Sequence, residues 1–202
     1  MKPVRIQADS VIAQPWRNGG GQTRELLAWP PGEPWQLRIS RADIEIDGPF
    51  SAFTGVQRWF TVLEGRGVAL QFSGTEQQVG YGDAPLCFDG GAAPGCRLLD
   101  GPTQDLNLMA RNGQGHMQAV DPARAWSPTF TVCGLYTCTA GNWNDGSVVH
   151  PLAAHTLLWQ SFAQASPSRD RQWYFASNEE AVPPRAWWLG YSPLDATQGH
   201  SV

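Results

Sequence analysis

The chain has 202 residues, 42% hydrophobic and only 16% charged, with 22 glycines, 16 prolines and 10 tryptophans, a mixture rich in turn formers and strand-favouring aromatics. The formal net charge of −4 argues against a nucleic-acid surface, and no run is apolar for long enough to span a membrane as a helix. Lys2 is the single lysine, so an internal Schiff base is not expected and neither is a pyridoxal-phosphate cofactor; the other cations are arginines, which suit planar recognition of carboxylates.

In chain order, MKPVRIQADS lacks the apolar stretch of a signal peptide, which gives a cytoplasmic expectation. Next comes PWRNGGGQTREL, residues 15–26, with three consecutive glycines. A phosphate-binding loop needs Lys-Ser/Thr after its last glycine, and a dinucleotide fingerprint needs a strand before it and a helix after it. Neither context is present. The run reads instead as a backbone device that turns the chain into the following strand and carries its polar flanks with it.

Short strand-like runs follow: TRELLAW, WQLRISRADI, RWFTVLEG, GVALQF, PLCF, CRLLD and DLNLMA, separated by PPGEP, IDGPF, FSGTE, YGD and FDGGAAPG. Strands this short and this closely spaced predict an all-β sandwich or barrel. The polar, glycine-rich stretch at residues 112–127 reads as a linker. A second β series follows in TFTVCGLYTCTA, TLLWQSF, RQWYFAS and RAWWLGY, and LDATQGHSV reads as a frayed tail.

Period-2 alternation sorts the side chains. Leu37 and Ile39 oppose Arg38 and Ser40; Leu106, Leu108 and Ala110 oppose Asp105, Asn107, Met109 and Arg111. The polar sets are either solvated or converge inside a barrel mouth, and Arg and Asn within strongly β sequences favour convergence. His116, His150, His155 and His200 all lie beyond residue 115, so a histidine-rich metal centre in the first series is excluded. His150 and His155 read as exposed loop residues, on opposite faces if one strand held both. Cys87, Cys96, Cys133 and Cys138 form no CxxC pair and read as reduced, buried packing. No GxSxG elbow is present. Glu25, Glu64 and Asp105 are the carboxylates open to acid–base work, although single strand carboxylates are more often structural. The tryptophans of RAWWLG and QWYF read as core.

Three blocks carry a resemblance: PWRNGGGQTREL, WQLRISRADIEIDGPFSAFTGVQRWFTVLEGRG and GPTQDLNLMARNG. In order and spacing over roughly residues 10–115 they look like the signature blocks of the HutD/Ves family. The second half is similar only in its general β pattern. The resemblance implies a bicupin: two jelly-roll-like β-barrels of the cupin type, the first in residues 1–115 and a more divergent one in 116–202, with strands open to exchange between them. VLEGRG and YGDAPL resemble cupin turns, but FTGVQRWFT stands where a cupin's paired histidines would sit, so no metal is expected.

Family members are associated with bacterial histidine-utilisation genes or stress responses, and no enzymatic activity is settled for them. The resemblance therefore implies a regulatory binding protein for a small carboxylate, such as urocanate or a formylated glutamate, with no catalytic residue assigned. Carried onto this chain, its signature points to Trp16, Asn18, Gly19, Gly20, Thr23 and Glu25, then Arg38, Ser40, Phe50 and Arg58, then Asp105, Asn107 and Arg111. The expected roles are Arg38 and Arg58 on the carboxylate, Asn107 and Ser40 orienting it, and Asp105 or Glu25 holding an arginine. A metal-independent isomerase or lyase using a barrel carboxylate, and a ligand-free protein–protein regulator, are the alternatives. Cupin-type proteins often dimerise, so a homodimer is compatible with this reading, though no residue identifies the contacting strand.

Overall fold

The computed structural model of the chain describes residues 2–32, 34–162, 171–179 and 185–194. The tail beyond Leu194, including His200, lies outside the described residues. The strands of the first part are β1 (Val4–Gln7), β2 (Gln14–Pro15), β3 (Gly21–Trp29), β4 (Leu37–Ile44), β5 (Gly48–Pro49), β6 (Val56–Glu64), β7 (Gly67–Phe72), β8 (Thr75–Gly80), β9 (Leu86–Asp89), β10 (Gly95–Leu98) and β11 (Thr103–Arg111). Those of the second are β12 (Gly113–Ala119), β13 (Val132–Thr137), β14 (Gly141–Asn144), β15 (Val149–Leu152), β16 (Thr156–Ser161), β17 (Tyr174–Ser177) and β18 (Ala186–Pro193). Two single-turn 3-10 helices, Ala8–Ser10 and Gly90–Ala92, are the only helical elements among the described residues, and no helix there is long and apolar enough to cross a membrane.

The strands form four sheets, with orders β5-β10-β7-β8, β2-β3-β4-β11-β6-β9, β1-β16-β13-β18-β12 and β15-β14-β17, and every ladder within them is antiparallel. Their apolar clusters stack them as layers. Ile44, Phe60, Val62, Val68 and Leu70 fill the space between the four- and six-stranded sheets. Leu37, Ile39, Leu106 and Leu108 pack against Tyr136, Leu157, Trp187 and Leu189, joining the six-stranded sheet to the five-stranded one. Trp143, Trp173, Trp188 and Phe175 fill the space between the five- and three-stranded sheets. The two central sheets are thus buried on both faces, which explains the near-continuous burial of β11 and β13.

The first strand belongs to the second half: β1 pairs with β16, from Val4 opposite Trp159 to Gln7 opposite Thr156. The chain then crosses over. Ala8 is fully buried at the joint, and Asp9 makes a 2.7 Å ion pair with the buried Arg41 of β4.

Three local expectations are corrected. The stretch expected to be a linker holds β12, paired residue by residue with β18 from Gly113 opposite Pro193 to Ala119 opposite Trp187. Its glycines serve packing rather than flexibility, since a Cβ on Gly115 would collide with the Trp59 ring. His150 lies in β15, stacked on Trp143 at 5.0 Å, while His155 sits outside the strand at φ 54°, so one strand does not carry both. All four cysteines are free thiols, but Cys87 is exposed, on the edge strand β9; the other three are buried.

Candidate functional site

The antiparallel register aligns polar residues in rows across the face of the six-stranded sheet that looks away from the second half. Arg38 lies opposite Met109, which lies opposite Arg58. One step along, Ser40, Asn107 and Phe60 form the next row, followed by Ala42, Asp105 and Val62. The opposite face carries Leu37, Ile39, Leu106 and Leu108 into the inter-sheet core. In β3 a bulge between Glu25 and Leu27 lets Leu26 and Leu27 both enter that core, while Thr23, on the near side of the bulge, lies opposite Ala42 in the polar rows.

These rows form one wall of a cavity of about 850 Å³ at the open end of the first barrel. Arg38, Ser40, Arg58 and Asn107 line it from the sheet, with Thr23 beside them; Trp16 and Asn18 line it from the rim. Phe50, Ser51, Ala52 and Phe53 add to the lining, Phe50 buried and Ser51 and Ala52 exposed. Among the described residues that line the cavity none is acidic, and three are arginines: Arg17, Arg38 and Arg58.

Arg58 is the dominant charge. Its residue is only 7% exposed, and its guanidinium donates from Nε at 2.9 Å and from Nη2 at 2.6 Å to Asn107 Oδ1. The ring of Phe50 lies 4.1 Å from the guanidinium carbon, a cation–π contact. Among the described residues Arg58 makes no ion pair with a carboxylate. Burial pulls its pKa down to about 10, opposed by Asp105 and assisted by Arg38; at neutral pH it remains a cation. Arg38 is different: its Nε donates to Glu25 Oε2 at 2.7 Å, so that carboxylate balances it from the edge of the site.

The glycine run builds the rim. Gly19 adopts φ 72°, the left-handed conformation that glycine tolerates best, and Asn18 Oδ1 accepts from the Gly20 N–H at 3.0 Å to fix the turn. Gly21 lies flat against β4, where a Cβ would collide with the Asp43 carbonyl oxygen. Two further hydrogen bonds tie the turn to its neighbours: Glu45 N–H donates to the Gly20 carbonyl at 3.0 Å, and Trp16 Nε1 donates to Thr23 Oγ1 at 2.7 Å. The turn therefore sets Trp16, Arg17 and Asn18 along the cavity mouth.

The structure gathers Trp16, Asn18, Thr23, Arg38, Ser40, Arg58 and Asn107 around one cavity. It sets three expected residues apart. Glu25 stands behind Arg38 rather than on the wall. Arg111 lies outside it, over the Trp35 ring at 4.8 Å. Asp105 is fully buried behind the wall and holds no arginine by a hydrogen bond; its Oδ2 accepts from Thr103 Oγ1 at 2.9 Å, and its Oδ1 has no partner. Burial, ahead of the opposing Thr103 hydrogen bond and Arg58 charge, raises its pKa well above the usual carboxylate range. Asn107 orients Arg58 with its carbonyl oxygen, leaving only its amide N–H groups for anything in the cavity.

Arg17 carries no signal in the sequence that marks it as a site residue. A lone arginine before a glycine turn has no periodic context, and only the folded turn brings it to the mouth. Among the described residues the wall supplies no histidine, cysteine or carboxylate, the donors a metal site would draw on, and no group of three or more such side chains could hold an ion.

Residues 8–172 match the HutD family model. The chain belongs to the HutD family. A curated relative of this HutD chain, an uncharacterised 21.2 kDa protein from the hutC 3′ region of Pseudomonas putida, is 37% identical over 108 residues, 52% of this chain and 56% of the relative, so the chain spans little more than half of that relative's length. Protein Ves of Citrobacter koseri is 32% identical over 133 residues, 65% of this chain and 70% of Ves. A conserved Pseudomonas aeruginosa PAO1 protein of unknown function superposes with a TM-score of 0.81 at 27% identity, over 96% of this chain and all (100%) of the other. HutD from Pseudomonas fluorescens SBW25, solved in a formate condition, gives 0.80 at 24% identity, over 95% and 98%. A Bacillus subtilis oxalate decarboxylase variant shares the fold alone, with a TM-score of 0.59 at 10% identity over 92% of this chain and 76% of that one. This HutD chain is accordingly an all-β bicupin.

Proposed function

We propose that this chain is a cytoplasmic small-carboxylate-binding protein with a regulatory role in histidine utilisation, and that Arg58 receives the carboxylate. The observation that carries the reading is a buried guanidinium on a cavity wall that makes no direct ion pair with any carboxylate among the described residues and has only the buried Asp105 acting on it without a hydrogen bond. Buried charges are normally paired, because an unpaired one forfeits several kcal/mol of solvation. A ligand carboxylate supplies an anion in direct contact, and planar two-point pairing suits an arginine.

Phe50 and Trp16 offer apolar surface to the body of such a ligand, and Arg17 and Arg38 add positive potential along its path. The names of the relatives, one from a hutC region and one called HutD, favour carboxylates of histidine breakdown such as urocanate and formylglutamate. Regulation is favoured over acid–base catalysis because the described residues of the wall include no carboxylate, histidine or thiol to move a proton.

Calorimetric titration with urocanate, formylglutamate, glutamate and formate tests the reading. At least one should bind, and Arg58→Met should weaken it by roughly 30-fold or more, the loss of about 2 kcal/mol or more expected when one partner of a buried charge pair is removed. If none binds, or if Arg58→Met binds like the parent, the proposal fails.

A further inference from the structure

We infer that carboxylate binding at Arg58 is coupled to uptake of a proton by Asp105, the ligand replacing the Asp105 carboxylate as counter-charge to the guanidinium. The inference rests on the carboxylate site proposed above and adds its regulation by pH.

The geometry begins on β11. Asp105 and Asn107 are two residues apart and project to the same side, Asn107 into the cavity wall and Asp105 behind it. The guanidinium of Arg58 reaches across to β11 to give two N–H groups to Asn107, which brings its charge close enough to act on Asp105 without a hydrogen bond between them. Asp105 has no exposure to water. One oxygen has a single donor, Thr103 Oγ1, and the other has none. A buried carboxylate with one donor is poorly solvated, so as an anion it depends on the field of Arg58.

The other groups around Asp105 give it no such support. From β4, Asp43 acts on it with a like charge. Asp43 accepts from Gln22, Arg24 and Gln104; against the opposing effect of its own burial, these contacts keep it ionised. From β10, the Cys96 thiol interacts with both Asp105 and Arg58, but burial pushes it up to about 12, so it stays neutral. From β6, Arg58 is the one favourable cation among the described residues, and on β11 itself Thr103 is a neutral donor. An anion on Arg58 cancels the attraction that favours ionised Asp105, and burial and Asp43 then favour the acid.

The balance is RCOO⁻ plus the site with ionised Asp105 plus one H⁺ from solvent, giving the complex with neutral Asp105. That balance fixes the sign. A bound anion raises the Asp105 pKa above its ligand-free value, so the complex holds more protons. Affinity then falls as pH rises through the window between the two values, by at most about tenfold per pH unit for one proton.

Formate is the probe, titrated into the full chain from pH 6 to 9 in two buffers of different ionisation enthalpy, so that the heats report protons taken up. The expected result is uptake of between zero and one proton, largest inside the window, and an affinity that weakens with pH. Asp105→Asn should bind formate with no uptake and a flat pH profile. Should that variant fail to fold, infrared difference spectra of the parent supply the same readout: a protonated-carboxyl C=O stretch must grow on formate binding. Formate binding without uptake at any pH, or uptake that persists in Asp105→Asn, overturns the inference and leaves the carboxylate site standing. Absence of formate binding at every pH overturns the inference, and the carboxylate site falls with it only if urocanate, formylglutamate and glutamate also fail to bind.

Discussion

If Arg58 is retained for its ligand, the unliganded fold should be more stable without it. The informative perturbation is the double substitution Arg58→Met/Asn107→Leu, which removes the buried cation and the amide that serves it. Burial lowers the Arg58 pKa from 12.5 to about 10. That difference corresponds to a cost of about 3 kcal/mol for keeping the cation in place, present in full at neutral pH because both values lie far above it. Removing both hydrogen-bond partners together is close to neutral, whereas Arg58→Met alone would strand Asn107 Oδ1 at a cost of about 1–3 kcal/mol. The single variant is therefore expected to be parental to modestly more stable and the double variant more stable by about 3 kcal/mol, raising Tm by roughly 6–12 °C in a chain of this size. Urea and thermal denaturation without ligand give these values, and titration with formate should show binding lost in both variants. If the double variant is instead destabilised by about 1 kcal/mol or more, Arg58 is a structural asset and does not wait for an anion.

Arg17 and Arg111 separate rim from exterior: Arg17→Ala should weaken carboxylate binding by roughly two- to fivefold at low salt and less at high salt, whereas Arg111→Ala should leave the titration unchanged, since Arg111 lies over Trp35 outside the cavity. Gly21→Ala should lower stability by about 3 kcal/mol because its Cβ meets the Asp43 backbone, while Gly20→Ala, whose nearest neighbour is an Asn18 side-chain oxygen at 3.4 Å, should fall within about 0.5 kcal/mol of the parent in the same urea titration. Asp43 is buried, which would raise its pKa, but hydrogen bonds from Gln104, Arg24 and Gln22 outweigh this and hold it below the usual carboxylate value. Its contribution to stability is present above that value and disappears as pH falls through the lowered one; urea midpoints from pH 7 down to 3 should therefore decline less steeply in Asp43→Asn than in the parent.

Much of the sheet architecture was legible because alternation and register are local. Leu37 and Ile39 against Arg38 and Ser40 gave the two faces of β4 directly, and antiparallel pairing did the rest by placing Asn107 beside Ser40. What escaped has identifiable causes. The edge strand β8, TEQQVG, is exposed over four successive residues and carries no apolar alternation to betray it. In β12, glycines that make room for Trp59 and Tyr191 mimic the composition of a linker. Alternation also groups Asp105 with Asn107 without revealing depth: one lines the cavity and the other lies behind it, a difference set by the sheet that packs across from them. The roles of Asn107 and Glu25 depend on which side chain each one meets, and pairing between strands far apart in sequence decides that.

The two pairs of sheets are filled differently, and the difference explains why one of them leaves a cavity. In the second, the space between sheets is packed by Trp126, Trp143, Trp173 and Trp188, with Trp126 and Trp188 stacked at 5.1 Å and 4°. In the first, the corresponding wall carries arginine, serine and asparagine, and the cluster of Ile44, Phe60, Val62, Val68 and Leu70 packs the rest of the space between its sheets. A wall of that kind gains little from burial on its own face, so the strands that bear it must be stabilised from behind. Leu37, Ile39, Leu106 and Leu108 do this only because the five-stranded sheet covers them. The halves are fastened by β1 on β16 and by Asp9 on Arg41, and the five-stranded sheet held there covers the apolar back of the strands that carry the polar wall.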